Sequence, residues 1–592
     1  MNNAANRPPA LLAQGLRKTF EREHEAPLCA LDAVSLEVND GELTAIVGPD
    51  GAGKTTLMRL AAGLLRADGG TLKVLGVDVA MDPQQVQDRI SYMPQRFGLY
   101  EDLSVAENMD LYADLHGVTE AQRAQRYPRL MEMTALGPFK TRLAGQLSGG
   151  MKQKLGLACT LVRLPELLLL DEPTVGVDPL SRRELWEILT RLVADEALTV
   201  LLSTAYLDEA ERCSRVIVLH QGRVLSQSSP QAVAALAAGR SFVTAPIQGR
   251  SARSLQARLL DRSDIIDAVP DAGRVRFVRG DFAAQGANTP AAAGVELAEL
   301  GGIRVDPVPP RFEDGFMMLL KEHSDAEQPK AISLERATEP HEEEAVVRVR
   351  QLVKNFGAFI AVDHIDVEVR RGQIFGLLGP NGAGKTTTFR MLCGLLPPSG
   401  GELSVAGADV RRASASARAR LGYVAQKFSL YGPLSVSENL EFFASAYGLR
   451  GEHKRGRIRW AMAQFELQDH ARVNSAQLPG GYKQRLAMAA ALLHEPEILF
   501  LDEPTSGADP RSRRAFWLRI SAMADQGVTI IVTTHFMQEA EYCDRIAIMD
   551  SGRILAQGSP AEVRGRAHIQ GRSEPSMDDA FIAVVEQARQ HA

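Results

Sequence analysis

Cysteine is scarce in this sequence, which has five in 592 residues: Cys29, Cys159, Cys213, Cys393 and Cys543. No two of them form a CxxC pair, so the sequence indicates neither a disulfide framework nor a zinc cluster. Such cysteine usage favours a protein from a reducing compartment.

Long hydrophobic runs are also missing. No stretch reaches the roughly 18 consecutive apolar residues that indicate a membrane span, and the opening MNNAANRPPALLAQG lacks the basic and apolar regions of a signal peptide. We therefore expect a chain that does not itself cross a membrane.

An excess of positive charge is absent too. The 67 basic residues face 73 acidic ones, for a net charge of −6, so no nucleic-acid partner is expected.

What the sequence does contain is an internal duplication. The stretch GPDGAGKTT (48–56) recurs as GPNGAGKTT (379–387), and LLLLDEPTVGVDP (167–179) recurs as ILFLDEPTSGADP (498–510). Four pairs of equivalent positions are each separated by 331 residues: Lys54/Lys385, Gln95/Gln426, Ser148/Pro479 and Asp171/Asp502. Four landmarks in one register indicate two copies of one domain, in a chain too long for a single hydrophobic core.

Each copy is predicted to be an α/β domain. Apolar runs such as LTAIVG and QIFGLLG are typical of strands, and each passes through a glycine loop into a helical pattern. Further buried-strand candidates, LLLLD, TVLLST and RVIVLH with their second-half equivalents, alternate with helical segments. This pattern predicts a mainly parallel sheet covered by helices.

Between the copies lies a segment with no equivalent in the second half. Its pieces RVRFVRG (274–280) and GIRVDPV (302–308) are strand-like and SARSLQARLLDR (251–262) is helical, which predicts a small α/β appendage. The expected organisation is an N-terminal tail (1–15), a first domain (16–235), the appendage with a closing helix (236–320), a polar linker (321–345), a second domain (346–565) and a C-terminal tail with a helix (566–592).

The glycine loops are predicted to bind the phosphates of ATP. Small residues let successive backbone N–H groups curl around a phosphate at a helix N-terminus, and the lysine reaches the terminal phosphates. A threonine hydroxyl and an aspartate that ends an apolar strand are suitable ligands for Mg²⁺, so Thr55 with Asp171, and Thr386 with Asp502, are the predicted metal ligands. The loop residues predicted to bind nucleotide are Gly48, Gly51, Gly53, Lys54, Thr55 and Thr56 in the first copy and Gly379, Asn381, Gly382, Gly384, Lys385, Thr386 and Thr387 in the second.

A second carboxylate stands beside each of these aspartates. Glu172 and Glu503 follow the metal-ligand candidates directly and are placed to polarise a water that attacks the γ-phosphate. The sequence therefore predicts ATP hydrolysis, with ATP and Mg²⁺ as cofactors.

These motifs resemble the ATP-binding subunits of ABC transporters. The resemblance rests on the glycine loops, on DEPT, on TTH, and on QLSGGMKQK (146–154), which recurs as QLPGGYKQR (477–485) and is called the signature below. It covers about residues 16–230 and 346–562, and GGMKQK/GGYKQR with EDGF/DDAF most resembles bacterial drug- and antibiotic-resistance exporters, here as a tandem fusion. The resemblance implies two P-loop NTPase domains with helical subdomains that pair head to tail, with each ATP between one phosphate loop and the other domain's signature.

The resemblance also assigns roles to individual residues. Phe20 and Phe356 match the aromatic residue that stacks on adenine, and Gln95 and Gln426 match the glutamine that meets Mg²⁺ and the attacking water. Asp178 and Asp509 match the loop aspartates that cross the seam between the two domains, and His535 matches the histidine that contacts the γ-phosphate. The signature residues that bind the opposite ATP are Ser148, Gly149, Gly150, Gly480 and Gly481.

Three departures from the family pattern fall on one composite site. Head-to-tail pairing places Pro479 opposite the phosphate loop of the first half, which also has Ala205 in place of the histidine and Asp50 in place of Asn381. The other site keeps every part. We therefore expect one degenerate site and one hydrolytic site, the alternative being that these changes have no consequence.

Without a membrane span, an exporter ATPase of this type needs separate permease subunits and lies on the cytoplasmic face of the inner membrane. The segments 96–117 and 427–448 occupy the place where the family receives the permease. Candidate contacts there, which could instead belong to the core, are Phe97, Tyr100, Phe428 and Tyr431. The alternative function is a tandem ATPase that acts on the ribosome as a translation factor, a class that joins its halves by a long charged helical arm.

Overall fold

A computed structural model describes residues 8–21, 27–95, 98–245, 252–280, 295–297, 303–323, 344–410, 419–426, 429–567 and 575–590. Most of the predicted linker, parts of both predicted tails, and the candidate contacts Phe97 and Phe428 lie outside these residues. The chain divides into two compact units, of which the first comprises Met1–Ser241, Val308–Ala326 and Asp509–Arg511. The second comprises Phe242–Pro307, Glu327–Ala508 and Ser512–Ala592.

The strands of the first half are β1 (Leu11–Phe20), β2 (Leu28–Val38), β3 (Leu43–Val47), β4 (Gly69–Val74), β5 (Val77–Asp78), β6 (Ile90–Met93), β7 (Leu167–Asp171), β8 (Thr199–Thr204), β9 (Arg215–His220) and β10 (Arg223–Ser228). The helices there are α1 (Lys54–Ala61), α2 (Pro83–Gln87), α3 (Val105–Leu115), α4 (Glu120–Thr134), α5 (Gly149–Leu161), α6 (Pro179–Glu196), α7 (Leu207–Ala210) and α8 (Pro230–Ala235), with short 3₁₀ turns at Gly137–Phe139 and Ala144–Gln146.

The central sheet of the first half is mainly parallel, as predicted. Its order is β10-β9-β3-β8-β7-β6, and only the edge pair β9/β10 runs antiparallel among the described strands. Strands β3, β7 and β8 are buried along their whole length, which is why they read as unbroken apolar runs. A four-stranded antiparallel sheet, β2-β1-β4-β5, is an addition to the predicted architecture.

The segment between the halves contains β11 (Ser241–Thr244), α9 (Ala252–Leu260), β12 (Ile265–Asp271), β13 (Arg274–Arg279), β14 (Val295–Leu297) and β15 (Ile303–Pro307), followed by α10 (Phe312–Glu322). The described strands form one sheet in the order β12-β13-β11-β15-β14. A small core of its own includes Leu259, Phe277 and Val305. The predicted strands and helix of the appendage are thus confirmed, and residues Phe242–Pro307 belong to the second unit although the chain on either side belongs to the first.

The strands of the second half are β16 (Ala345–Phe356), β17 (Phe359–Arg370), β18 (Ile374–Leu378), β19 (Gly400–Val405), β20 (Ala408–Asp409), β21 (Leu421–Val424), β22 (Ile498–Asp502), β23 (Thr529–Thr534), β24 (Arg545–Asp550) and β25 (Arg553–Gly558). The helices are α11 (Lys385–Leu392), α12 (Val436–Ala446), α13 (Gly451–Gln464), α14 (Gly480–Ala491), α15 (Pro510–Asp525), α16 (Met537–Ala540), α17 (Pro560–Gly565) and α18 (Met577–Gln590), with 3₁₀ turns at Gln468–His470 and Ser475–Gln477.

The second half repeats the architecture of the first. Its central sheet has the order β21-β22-β23-β18-β24-β25, and its antiparallel sheet has the order β17-β16-β19-β20. A core between the central sheet and the helices includes Leu501, Trp517 and Ile548. In both halves the carboxyl ends of the parallel strands meet at one edge of the sheet, which is where the motif residues lie.

Candidate functional site

The phosphate loop of each half connects a buried central strand to the helix that starts with the loop lysine. Strand β3 leads into α1, and β18 leads into α11. The residue before each lysine, Gly53 or Gly384, has a left-handed φ of 105° or 99°. A Cβ atom there would lie 2.5 Å from the carbonyl oxygen of Ala30 or 2.4 Å from that of Ala361, so only glycine fits. The remaining loop positions predicted to bind nucleotide are Gly48, Gly51, Thr55 and Thr56 in the first half and Gly379, Asn381, Gly382, Thr386 and Thr387 in the second.

Each loop lysine folds back over its own loop. Lys54 Nζ donates to the carbonyl oxygens of Gly48 (2.8 Å) and Pro49 (3.2 Å). Lys385 Nζ makes the same pair of contacts with Gly379 (2.7 Å) and Pro380 (3.0 Å). Both side chains are buried. The fixed ammonium group in each loop can therefore contact a phosphate without first being ordered.

The aspartate at the end of each apolar strand is fastened by hydroxyl groups. Asp171 Oδ1 accepts hydrogen bonds from Thr55 Oγ1 (3.2 Å) and from Ser203 Oγ (2.6 Å). In the second half, Asp502 Oδ1 accepts one from Thr533 Oγ1 (2.5 Å). Burial raises the pKa of Asp502, which Thr533 offsets in part. The threonine hydroxyl and the carboxylate that meet in the first half are hard oxygen donors, which fits a site for Mg²⁺.

The glutamate after each aspartate has an unusual backbone conformation. Glu172 and Glu503 have φ values of 49° and 47°, in the left-handed region that non-glycine residues rarely adopt. Two bonds hold each residue there, because its N–H donates both to the carbonyl oxygen and to the hydroxyl of Ser203 or Thr533 on the neighbouring strand, at 3.0 Å in each case. Such strain is typical of functional positions and costs about 1–3 kcal/mol.

The glutamate side chains have different partners in the two halves. Gln95 Nε2 donates to Glu172 Oε2 (2.6 Å), and Gln426 Nε2 donates to Glu503 Oε2 (2.5 Å). Glu503 has a further partner, since His535 Nδ1 lies 3.1 Å from its Oε2.

The first half has Ala205 at the position of that histidine, and Glu172 lies 3.6 Å from Lys54 Nζ. Burial raises the pKa of Glu172, which Lys54 offsets only in part. Burial acts in the same direction on Glu503, but the contacts with His535, Lys385 and Gln426 outweigh it and lower the pKa of Glu503. The two glutamates thus differ electrostatically although both are buried.

The signature opens a helix in both halves, but only one helix has a side-chain cap. Ser148 is the N-cap of α5, and its hydroxyl accepts a hydrogen bond from the N–H of Met151 (3.3 Å). Pro479 stands at the same position before α14, with φ −55° and ψ 154° against −65° and 162° for Ser148, and without a side-chain cap. Proline thus stands at the N-cap and not in the first helical turn. It has nearly the same backbone conformation as the serine of the first half but lacks the hydroxyl. The glycines Gly149 and Gly150, and Gly480 and Gly481, form the first turns.

The predicted adenine-stacking residues end equivalent strands. Phe20 is the last residue of β1 and Phe356 the last residue of β16, where half of its surface is exposed. A lysine ammonium lies over each ring, with Lys18 Nζ 5.5 Å from the Phe20 centroid and Lys354 Nζ 5.1 Å from the Phe356 centroid. Both rings are therefore accessible, next to a positive charge.

The described candidates for permease contact are exposed and do not belong to the core. Tyr100 is 57% exposed and Tyr431 is 49% exposed. The ring of Tyr431 packs edge-on against Phe442, which is itself exposed, at a centroid distance of 4.7 Å. An exposed aromatic cluster of this kind is typical of a protein-binding surface.

The loop aspartates and Asp50 differ in their surroundings. Asp178 is the N-cap of α6 and accepts a hydrogen bond from the N–H of Ser181 (3.1 Å). Asp509 is buried and accepts one from the N–H of Arg511 (2.9 Å). Asp50 is exposed.

Three residues at the site are missing from the sequence predictions. Ser203 and Thr533 fasten the aspartate and the glutamate of their own half, and Tyr92 OH donates to Asp171 Oδ2 (3.3 Å). Burial, together with Asp171, raises the pKa of Tyr92 to about 12. The hydroxyl residues follow apolar runs in TVLLST and TIIVTT, which was the available sequence signal.

Comparison with known proteins gives a consistent result. The family model described as ABC transporter matches residues 31–175 and again residues 362–506. The probable multidrug ABC transporter ATP-binding protein YbhF of Escherichia coli (strain K12) is 48% identical over 573 residues, which cover 96% of this chain and 97% of that protein. The Nod factor export ATP-binding protein I of Cupriavidus metallidurans is 41% identical over 220 residues, which cover 37% of this chain and 73% of that protein. A solved ATP-binding subunit of an ABC transporter is 28% identical with a TM-score of 0.38, covering 40% of this chain and 99% of that one.

Among the helices in the described part of the chain, none has the length and apolar character that crossing a bilayer requires.

Proposed function

Because this chain belongs to the ABC transporter family, we propose that it is the ATP-hydrolysing subunit of a bacterial exporter that works through separate permease subunits in the membrane. Its two ABC domains bind ATP, and the chain is an ATPase. The observation that carries the export function is the 48% identity to a multidrug transporter ATP-binding protein over nearly the full length of both chains. The second relative, a Nod factor export protein, is also named for export.

The place of action that we propose is the cytoplasmic face of the inner membrane, where the chain binds its permeases peripherally. The surface around Tyr100 and the cluster of Tyr431 and Phe442 are the contacts that we assign to the permeases, because exposed aromatic residues are enriched at protein interfaces. A role on the ribosome is not favoured. The described part of the segment between the halves is a sheet with helix α9 and not a long charged arm.

Within the chain, we propose that the two ABC domains pair head to tail, so that each ATP lies between a phosphate loop and the opposite signature. The two family matches in one chain, at residues 31–175 and 362–506, support this arrangement, because the family resemblance implies that two such domains pair. The first composite site then combines Lys54 with Pro479, and the second combines Lys385 with Ser148.

In the second composite site, the residues of the chain divide the work of hydrolysis. Lys385 binds the terminal phosphates, Gln426 orients the attacking water, and Glu503 accepts its proton. His535 holds the Glu503 carboxylate through the 3.1 Å contact and contacts the γ-phosphate. Mg²⁺, when bound by Thr386 and Asp502, would neutralise phosphate charge. The first composite site has Thr55 and Asp171 for the same metal, with Gln95 and Glu172 beside them.

We propose that the second composite site hydrolyses ATP while the first is degenerate and mainly holds its nucleotide. The first site has no histidine at Ala205 and no signature hydroxyl at Pro479. Loss of one donor aimed at transition-state charge lowers a rate by about 100- to 1,000-fold. Two such losses in one site are expected to leave it nearly inactive.

Separate Glu503→Gln and Glu172→Gln substitutions test this proposal. The amide keeps the size of the side chain but removes the base, so Glu503→Gln should lower steady-state ATP turnover by at least about 100-fold. Glu172→Gln, its matched control in the first half, should keep more than half of the turnover. Equal losses in the two variants would contradict the division of roles, while leaving the family and the ATPase activity untouched.

A further inference from the structure

The appendage touches the second half through charged groups, most of which are largely buried, whereas the Asp525 side chain is 43% exposed. The pairs bridge the appendage and the body of the second ABC domain, and all of them lie inside the second unit. They are Arg514 with Asp267, Arg253 with Asp525 and Asp544, and Arg564 with Asp271. Arg564 also pairs with Glu541 of its own domain. In addition, the N–H of Ala272 donates to Glu541 (2.8 Å). Buried ionic contacts of this kind have strict geometry and are little screened by salt.

Two of these contacts are made with helix α15, one near each of its ends. Near its start, Arg514 Nη2 lies 2.9 Å from Asp267 Oδ2, and both side chains are at most 10% exposed. At its last residue, Asp525 Oδ1 lies 3.2 Å from Arg253 Nε. The two points are about 16 Å apart at 1.5 Å per helical residue. A helix fastened at two points so far apart can neither slide nor tilt freely against the appendage.

Arg253, which pairs with the last residue of α15, also contacts Asp544, and Asp544 holds the strand that leads to the phosphate loop. Asp544 Oδ2 accepts hydrogen bonds from Arg253 Nη1 (2.5 Å) and from the N–H of Ile374 (2.8 Å). Ile374 is the first residue of β18, and the loop with Lys385 follows that strand. Arg253 is thus connected to the first residue of this strand through Asp544 alone.

Two of the charged groups on the second half are specific to it. Asp544 and Arg564 correspond to Ser214 and Ala234 in the first half, where neither side chain can form an ion pair. The first ABC domain therefore lacks two of the groups that the appendage contacts on the second domain. The appendage also follows the first domain in the chain, so its sequence position alone does not indicate this attachment.

We propose that the appendage is a clamp that positions helix α15 of the second ABC domain, with Asp267 and Arg253 as positioning residues for ATP turnover. The loop that carries Asp509 runs directly into this helix, so the direction of the helix sets where the loop lies. The clamp acts on the arrangement of the nucleotide site and not on nucleotide contacts. Its loss should therefore change kcat more than the KM for ATP.

Substitution of Asp267 and Arg514 in the full-length protein tests the clamp. Asp267→Asn and Arg514→Gln should each lower kcat by about tenfold with less than a twofold change in KM, because small misplacements at a site reduce rates strongly. Asp306→Asn is the control for the appendage, since Asp306 pairs with the exposed Arg304. Arg183→Gln is the control for the helix, because Arg183 is the first-half equivalent of Arg514. Both controls should stay within twofold of the unsubstituted protein.

A charge exchange separates positioning from simple destabilisation. The double variant Asp267→Arg with Arg514→Asp should recover at least a third of the lost kcat. Amide hydrogen exchange on the folded single variants should show faster exchange in α15 but not in α6. Unchanged kcat with unchanged exchange in α15, or the same loss of kcat in Asp306→Asn, would overturn the clamp. The division of roles between Glu503 and Glu172 is measured separately, so either inference can fail without the other.

Discussion

Replacement of His535 by alanine should give the second half the side chain that the first half already has. The structure places His535 Nδ1 3.1 Å from Glu503 Oε2, with both residues buried. A contact of this length with a charged group is comparable in strength to a hydrogen bond to a charged group, which contributes about 1.5–3 kcal/mol. At 1.36 kcal/mol for each factor of ten, its loss corresponds to a roughly 10- to 150-fold fall in rate if the contact persists in the transition state.

The assay is steady-state ATP hydrolysis by the purified chain, with kcat and KM determined separately. We expect His535→Ala to lower kcat by that factor and to change KM by less than about twofold, because the role that we propose for the histidine is on the carboxylate and the terminal phosphate. His494→Ala is a matched control, since His494 is a largely buried histidine of the same half that stacks on Tyr447 away from the nucleotide motifs. A kcat for His535→Ala within twofold of the unsubstituted value, or an equal loss in the control, would refute the assigned role of the histidine.

Two further predictions concern the signature and the adenine site. Pro479→Ser in a Glu503→Gln background should raise residual ATP turnover several-fold, because it restores a hydroxyl at an N-cap whose backbone already matches that of Ser148. Unchanged turnover would show that Pro479 does not cause the low activity of the first composite site. Phe356→Ala should weaken binding of a fluorescent ATP analogue by roughly 5- to 150-fold, as expected for loss of one aromatic stack, whereas Phe359→Ala, the exposed ring paired opposite it, should bind normally.

The parts of the site that could be predicted from the sequence are those encoded in contiguous motifs. A phosphate loop such as 48–56 places its lysine and threonines by local geometry alone, because the glycine before the lysine fixes the turn into the helix. The same is true of Asp171, which ends an apolar strand, and of Glu172, which follows it directly. The family match confirms the resemblance, the fold class and the ATPase activity that these motifs indicated.

The contacts that fasten those motifs could not be predicted, because they come from neighbouring strands and distant segments. Thr533 bonds Asp502 across 31 residues, and the pairing of β22 with β23 that joins them depends on sheet order. A single sequence does not state that order. The contrast between Glu172 and Glu503 arises in the same way, since it depends on the residue that follows β8 or β23.

The docking of the appendage on the second half is even harder to predict from a sequence pattern. Asp525 and Asp544 are ordinary acidic residues at the end of a helix and before a strand, and Arg253 lies 272 and 291 residues away from them. Nothing local marks them as partners. The exposed position of Tyr100 and Tyr431 is a similar case, because aromatic residues at helical spacing in a sequence are more often buried.

The attachment of the appendage has a consequence for biosynthesis. Asp271 and Arg564 are separated by 293 residues, so at about 5–20 residues per second the ribosome completes the docking surface roughly 15–60 s after it has made the appendage. During that interval the appendage lacks these contacts and depends on its internal ones, including the small core around Leu259 and Phe277. The part of its charged face around Asp271 remains in water until Arg564, which follows the last strand of the second half, has been translated. A nascent chain stalled before Asp544 should therefore carry an appendage that proteases reach far more readily than in the finished protein.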